Sequence, residues 1–512
     1  MKPKLLVPLV AALAMFAQKP KPEQAAKGPT PRLIEVNVVV RDQNGPVAGL
    51  TQKDFRLFDK GHEQEIVSFI ASSNPAARPQ PLPSNVFANR SSLDAAPSGI
   101  TLILLDAVNT PVNTQPFARA QVLKILGETK PSDRVVLCVA GQQLRILTDA
   151  VTFGEDNSIE SWIARNSVVG GLNPDVQLHN TTETLVALAN DVRHFAGRKS
   201  LVWVAGSYPV SVDHYGSEGP PGFEESLTAS VGNVRTPTDP TQIDPKVFQR
   251  VFTPAMHALS YSGVAVYEAI IFGGPAAGAS TAPVTSIRGT ITTNADVQAG
   301  ALRILVDDTG GRVSTSSDLK SIRDAISDAQ VTYTLGFYAD AKELDSQFHS
   351  LSVKMDRKDV TLQYRKGYVA WPEPGTVEAQ RAEAIREALA NPLPVDGISL
   401  MGAYEKTDQP QPGSLRATVV IAAGDLVLHH DADQFTGELE VVLTPRSADG
   451  KDLGTTRRAV ALKLNQAQYE TALKQGLSFS QVLQPTENVA ELRAVVCDHM
   501  SSRLGSLIMP VK

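Results

Sequence analysis

The stretch that most constrains this chain is residues 100–105, a run of apolar residues interrupted only by Thr101 and closed by an acid, Asp106. A strand apolar on both sides has no solvent face, so both sides must be covered, as in parallel sheets with helices above and below. The surrounding residues fit that reading. Residues 117–126 have helical spacing, 134–139 are a second buried run, and 144–147 a short one. Residues 182–195 place Leu185, Leu188, Val192 and Phe195 on one helical face. Further strands are expected at 201–204, 264–271 and 332–337, with helices at 254–259 and 319–329. Strands alternating with helices predict an α/β domain over residues 99–370, built on a central doubly wound, mostly parallel sheet.

On either side the rhythm shortens. Residues 33–41 alternate and are rich in β-branched side chains, 42–45 make a turn, and 55–58 and 66–70 continue the short strands. Residues 32–72 therefore predict an N-terminal β module, followed by a Pro/Ser/Asn-rich linker over 73–98. Segments 349–355 and 360–365 resemble a closing β pair. Residues 371–390 suggest a linker and helix. The short strands between Leu415 and Cys497, separated by turns such as Ala448-Asp449-Gly450, predict a β-sandwich-like domain over 391–512. A chain of 512 residues exceeds what one core serves, roughly 250–300 residues, so several units are expected.

Lys2 and Lys4 precede an apolar run over 5–17, which gives way to a Pro-rich polar stretch over 18–31. This is the pattern of a secretory signal peptide, residues 1–17, and a linker. The run falls short of the roughly 20 residues that span a bilayer, although an uncleaved N-terminal anchor is the other reading. The expected location is exported: periplasmic, cell-surface or secreted. With 42% hydrophobic residues, 20% charged residues and a net charge of −6, no basic stripe points to nucleic acid. Cys138 and Cys497 each lie in an apolar run and suggest two core thiols, with a disulfide between them left open.

Enzyme signatures are missing: there is no nucleophile elbow, P-loop, dinucleotide fingerprint or His-Glu-x-x-His helix. His62-Glu63 lacks a second histidine. His429, His430, Asp431 and Asp433 sit at a strand end and turn, where polar residues are exposed by default, and Asp307-Asp308 suit a turn better than a catalytic pair. The expectation is a binding protein and not an enzyme.

Residues 101–110 (TLILLDAVNT), an aspartate ending a buried strand before small polar residues, resemble the first loop of a von Willebrand factor A-type domain. Phrases at 49–55 (GLTQKDF), 197–200 (GRKS), 308–311 (DTGG), 333–338 (YTLGFY) and 364–368 (YRKGY) are similar to those of the VWFA-related exported proteins common in Acidobacteria. The resemblance implies a Rossmann-like A-type fold and a metal-ion-dependent adhesion site holding Mg²⁺ or another divalent cation through hard oxygen ligands. Carried over by position, Asp106 matches the first acid, Val108 replaces the first serine, and Thr110 matches the second. Thr182 matches the threonine of the next loop, and Gly206 stands where the last aspartate would be. Asn109 adjoins the loop and Asp213 lies downstream. The resemblance thus implies a degenerate site, with Asp106, Asn109, Thr110 and Thr182 as candidate metal ligands and a metal-free descendant as the alternative.

In open α/β sheets ligands collect at the carboxyl ends of the strands. A long Pro/Gly/Asp-rich excursion over 206–245 leaves that edge, with Tyr208, Tyr215 and Phe223 as candidate partner contacts, and residues 276–294 border the same edge. The functional expectation is an extracytoplasmic adhesion-type protein that binds another, unidentified protein there. The alternative is a structural envelope or assembly subunit acting through its β modules, with no metal.

Overall fold

The structure is a computed structural model and describes residues 32–73, 82–93, 99–147, 158–206, 245–271, 305–312, 320–371 and 376–511, short breaks inside these ranges apart. The proposed signal peptide and linker lie outside the described residues.

Strand Arg32–Asp42 alternates as its β-branched pattern demands, with Ile34, Val36 and Val38 buried. It runs antiparallel to Val331–Ala339 through residues 32–38 and to Thr361–Gln363 through 39–41. Val331–Ala339 pairs in turn with Ser68–Ser73. A second antiparallel sheet joins Arg56–Asp59, His62–Gln64, Phe348–Lys354 and Gly367–Val369. Both sheets share a core that includes Val36, Val38, Leu57, Tyr333, Phe337 and Tyr368.

Another sheet runs in the order Val264–Ile270, Lys199–Ala205, Ile100–Asp106, Val135–Ala140, Leu144–Ile146, with the last strand antiparallel and the first four parallel. Alternate side chains face opposite ways. Ile103, Leu105, Val139 and Val202 meet helices Gln115–Leu126, Ser158–Ser167 and Lys320–Gln330. Leu102, Leu104, Cys138 and Trp203 meet Pro174–Val192, Pro245–Ser262 and Val377–Ala390. Helix Lys320–Gln330 also ties this sheet to the N-terminal strands, because Asp328 pairs with Arg41 and accepts from the Tyr267 hydroxyl at 2.7 Å.

The C-terminal strands form two antiparallel sheets. One holds Leu477–Leu483, Ser414–Ile421, Leu400–Thr407 and Val86–Ala88. The other is built on Gln434–Arg446, Glu491–Asp498 and Leu504–Pro510, with Thr456–Asn465 and His429–Asp431 on the outer strand. Val419 and Ile421 of the first sheet face Val441, Leu443 and Val496 of the second in one core, as in a sandwich. Cys138 and Cys497 are both free and buried.

These pairings correct the sequence expectation. Among the described residues the fold is mostly β: four of five sheets are antiparallel throughout beside seven α-helices, so the class is not an α/β fold on a central doubly wound parallel sheet. Residues 332–337, expected among the parallel strands, lie in the antiparallel sheet of Arg32–Asp42. A strand covered on both sides is apolar whichever way its partner runs, so its sequence does not encode that choice. The N-terminal strands are not a flanking module, since each of their sheets is completed by strands from 331–369. The expected pair 349–355 and 360–365 is not made; Phe348–Lys354 pairs with Arg56–Asp59 and Thr361–Gln363 with Arg32–Asp42. Val86–Ala88, inside the expected linker, adds a strand to the sandwich. Among the described residues no helix is long and apolar enough to cross a membrane.

Candidate functional site at the strand ends

Asp106 is the last residue of its strand and is buried, as are Asn109 and Thr110 in the loop that follows. The loop folds back on the acid: the Asn109 backbone N–H donates to Asp106 Oδ1 at 3.1 Å and Asn109 Nδ2 to Oδ2 at 2.6 Å. From the neighbouring parallel strand, Trp203 Nε1 donates to the same Oδ2 at 2.8 Å. Asn109 Nδ2 also donates to Thr181 Oγ1 at 2.7 Å, tying the loop to helix Pro174–Val192. Thr110 Oγ1 accepts from the Gly206 N–H at 3.0 Å, and Gln115 Nε2 donates to the Thr110 carbonyl at 3.0 Å. Burial pushes the Asp106 carboxyl above its usual 3.8, against the opposing pull of the hydrogen bonds from Asn109 and Trp203.

The structure thus brings Asp106, Asn109 and Thr110 together. Thr182 lies within a helix, not a loop, and its hydroxyl donates to the Leu178 carbonyl at 2.9 Å. Val108 is buried as a hydrocarbon. At Gly206 a Cβ would stand 2.8 Å from Pro111 Cδ, so the aspartate that the resemblance would put there has no room. Asp213, Tyr208, Tyr215 and Phe223, with most of 206–245 and all of 276–294, lie outside the described residues.

The arrangement does not fit a divalent cation. Both oxygens of Asp106 face N–H donors, where a cation would need more oxygens, and the Thr182 hydroxyl is committed to its own helix. Among the described residues no group of three His, Cys, Asp or Glu side chains is placed to hold a metal ion. Trp203 and Thr181 were not anticipated. A buried tryptophan needs an acceptor for its N–H, and that need was the available signal.

Around this closed polar knot the loops turn apolar side chains outward. Val112, after the Asp106 strand, is 50% exposed; Val168, after helix Ser158–Ser167, is 65% exposed; Val176, in the first turn of the next helix, is 40% exposed. These loops are neighbours, since a Cβ on Gly170 would lie 3.5 Å from Val112 Cγ2 and Gln177 Nε2 donates to the Val108 carbonyl at 3.3 Å. At the sandwich, His430 stacks on Phe435 at 4.3 Å between ring centres, and Phe435 on Tyr469 at 4.0 Å.

No family model and no curated protein matches the chain. Among solved structures, the crystal structure of a pilus adhesin, SpaC from Lactobacillus rhamnosus GG, aligns with 90% of this chain and 58% of the adhesin at 10% identity and a TM-score of 0.26. The chain spans less than two thirds of the adhesin's length, and so loose a superposition carries no argument.

Proposed function

We propose that the chain is an exported, adhesion-type binding protein, not an enzyme, and that it holds another protein at the strand-end face without a metal. The observation that carries this reading is the contrast within that face: the acid that ends its strand, Asp106, is buried under internal donors, while Val112, Val168 and Val176 stand exposed on the loops around it. Apolar side chains gathered on adjoining loops favour a protein partner over a small polar ligand. The lysines and apolar run of residues 2–17 support export.

The test is capture from cell-surface material by the wild type, by a Val112→Asp/Val168→Asp/Val176→Asp variant and by a control with three charges on the sandwich. A protein held by the wild type and control and released by the valine variant supports the reading. Equal capture by all three sinks it, and an ordered oligomer indifferent to the valines would favour an assembly subunit working through its β sheets.

A further inference from the structure

At the opposite end of the parallel strands, where Lys199 opens its strand, a cavity of ≈ 510 Å³ lies between the N-terminal sheet, helix Pro245–Ser262 and the C-terminal sandwich. Its wall holds six side chains of full positive charge, Arg32, Arg90, Arg193, Lys199, Arg365 and Arg503, against two carboxylates, Glu35 and Asp425, in a chain of net charge −6. Three of the cations have an acid in reach: Arg90 with Asp425 at 2.9 Å, Arg193 with Glu387, and Arg503 with Glu35 at 3.7 Å.

Lys199 and Arg365 are different. Lys199 is buried and Arg365 half-buried, and neither has a carboxylate within ion-pair distance among the described residues. The Lys199 ammonium donates to the Phe195 carbonyl at 3.1 Å. Arg365 donates to the carbonyls of Ser260 at 3.0 Å and Glu35 at 2.6 Å, but among the described residues its Nε–H has no partner, and neither does the buried Ser262 hydroxyl on the same wall. Burial holds Lys199 below its usual range, with Glu35 and Asp396 opposing it and Arg365 adding to it, and burial with Arg32 nearby brings Arg365 down to about 10 against the pull of Tyr368 and Glu35.

Desolvated like charges are costly unless an opposite charge joins them. An ammonium, a guanidinium N–H and a hydroxyl on one wall are the donor types that hold oxyanions. The volume falls in the roughly 300–1,000 Å³ range of small-molecule sites. Tyr261 and Trp371, each more than a third exposed, add flat apolar surface, and Arg32 lies 4.5 Å over the Tyr261 ring.

We propose that this cavity binds a small organic anion, whose carboxylate or phosphate group is held by Lys199, the Arg365 Nε–H and the Ser262 hydroxyl. The site is independent of the strand-end reading. Calorimetric titration of the full chain with sodium phosphate, with citrate and with sodium chloride at matched ionic strength tests it. The expected result is saturable binding of phosphate or citrate and none of chloride. Preference between the two tells a phosphate from a carboxylate ligand. Lys199→Met should weaken binding about tenfold or more, and Ser262→Ala several-fold, with Arg416→Gln on the sandwich unchanged. If Lys199→Met fails to fold, Ser262→Ala and Arg503→Gln carry the comparison. The bound anion should also raise the melting temperature of the wild type by a few degrees, and in anion-free buffer Lys199→Met should be at least as stable as the wild type. No saturable binding of either anion, or equal binding by the wall variants and Arg416→Gln, overturns the proposal. So does a Lys199→Met chain that melts lower in anion-free buffer while the wild type ignores anions, for then Lys199 only secures the Phe195 carbonyl.

Discussion

The two ends of the parallel strands handle buried charge in opposite ways. At the carboxyl ends Asp106 is a buried acid whose oxygens receive N–H groups from Asn109 and Trp203, so the protein supplies its own counter-dipoles. At the amino ends Lys199 and Arg365 share a cavity wall and lean on backbone carbonyls, and among the described residues a guanidinium N–H and the Ser262 hydroxyl are left without partners. A charge satisfied from within belongs to the scaffold, and a charge left short of partners has room for a ligand. The resemblance to a metal site drew attention to the first end, where the contacts are already complete.

The largest effect expected from this contrast is on stability at the strand ends. Asp106→Ala strands the Trp203 and Asn109 donors and should cost about 2–4 kcal/mol in urea unfolding. A loss near zero would mean that the acid is not structural. Trp203→Phe keeps the ring and removes one donor, for a smaller loss of about 1–2 kcal/mol.

Titration separates the ends by sign. Between 3.8 and the raised value of Asp106 the folded chain keeps a proton that the unfolded chain has lost, so this group's contribution to stability falls as pH climbs through that window. Asp106→Asn should remove that fall. Between the lowered value of Lys199 and 10.5 the unfolded chain holds a proton that the folded chain lacks, so stability rises with pH there, and Lys199→Met should remove the rise. Unfolding curves at closely spaced pH values check both, and a Lys199→Met chain that kept the full alkaline rise would undo the assignment. The smallest change in stability, within about 0.5 kcal/mol, is expected for Val112→Asp or Val168→Asp, whose effect should show in partner binding.

Much of the strand-end site was legible because Asp106, Asn109 and Thr110 are contiguous and follow a conspicuous buried strand. Its outer partners were not. Thr181 and Thr182 are one residue apart, which on a helix is a turn of about 100°, and the choice between them depends on how the helix is rotated against the sheet. The motif-like phrases 308–311 and 364–368 were visible, but their use was not. They dock on each other: a Cβ on Gly310 would lie 2.5 Å from the Tyr364 carbonyl carbon, and one on Gly311 only 1.7 Å from the Val266 carbonyl oxygen. That docking holds Arg365 beside the cavity. The cations of the cavity come from segments scattered along the chain, each resembling an ordinary solvated arginine or lysine.

Apolar periodicity, read along the chain, settles which segments become strands and helices and places an acid at the end of one buried strand, because burial of alternate or successive side chains leaves its mark on every residue. It leaves open what covers those segments. Antiparallel pairing of Arg32–Asp42 with Val331–Ala339, and the meeting of Lys199, Ser262 and Arg365 on one wall, come from contacts between residues far apart in the chain. Hydrophobic burial specifies that a partner is needed, while its identity, and the charge environment that follows, depend on which distant surfaces pack together.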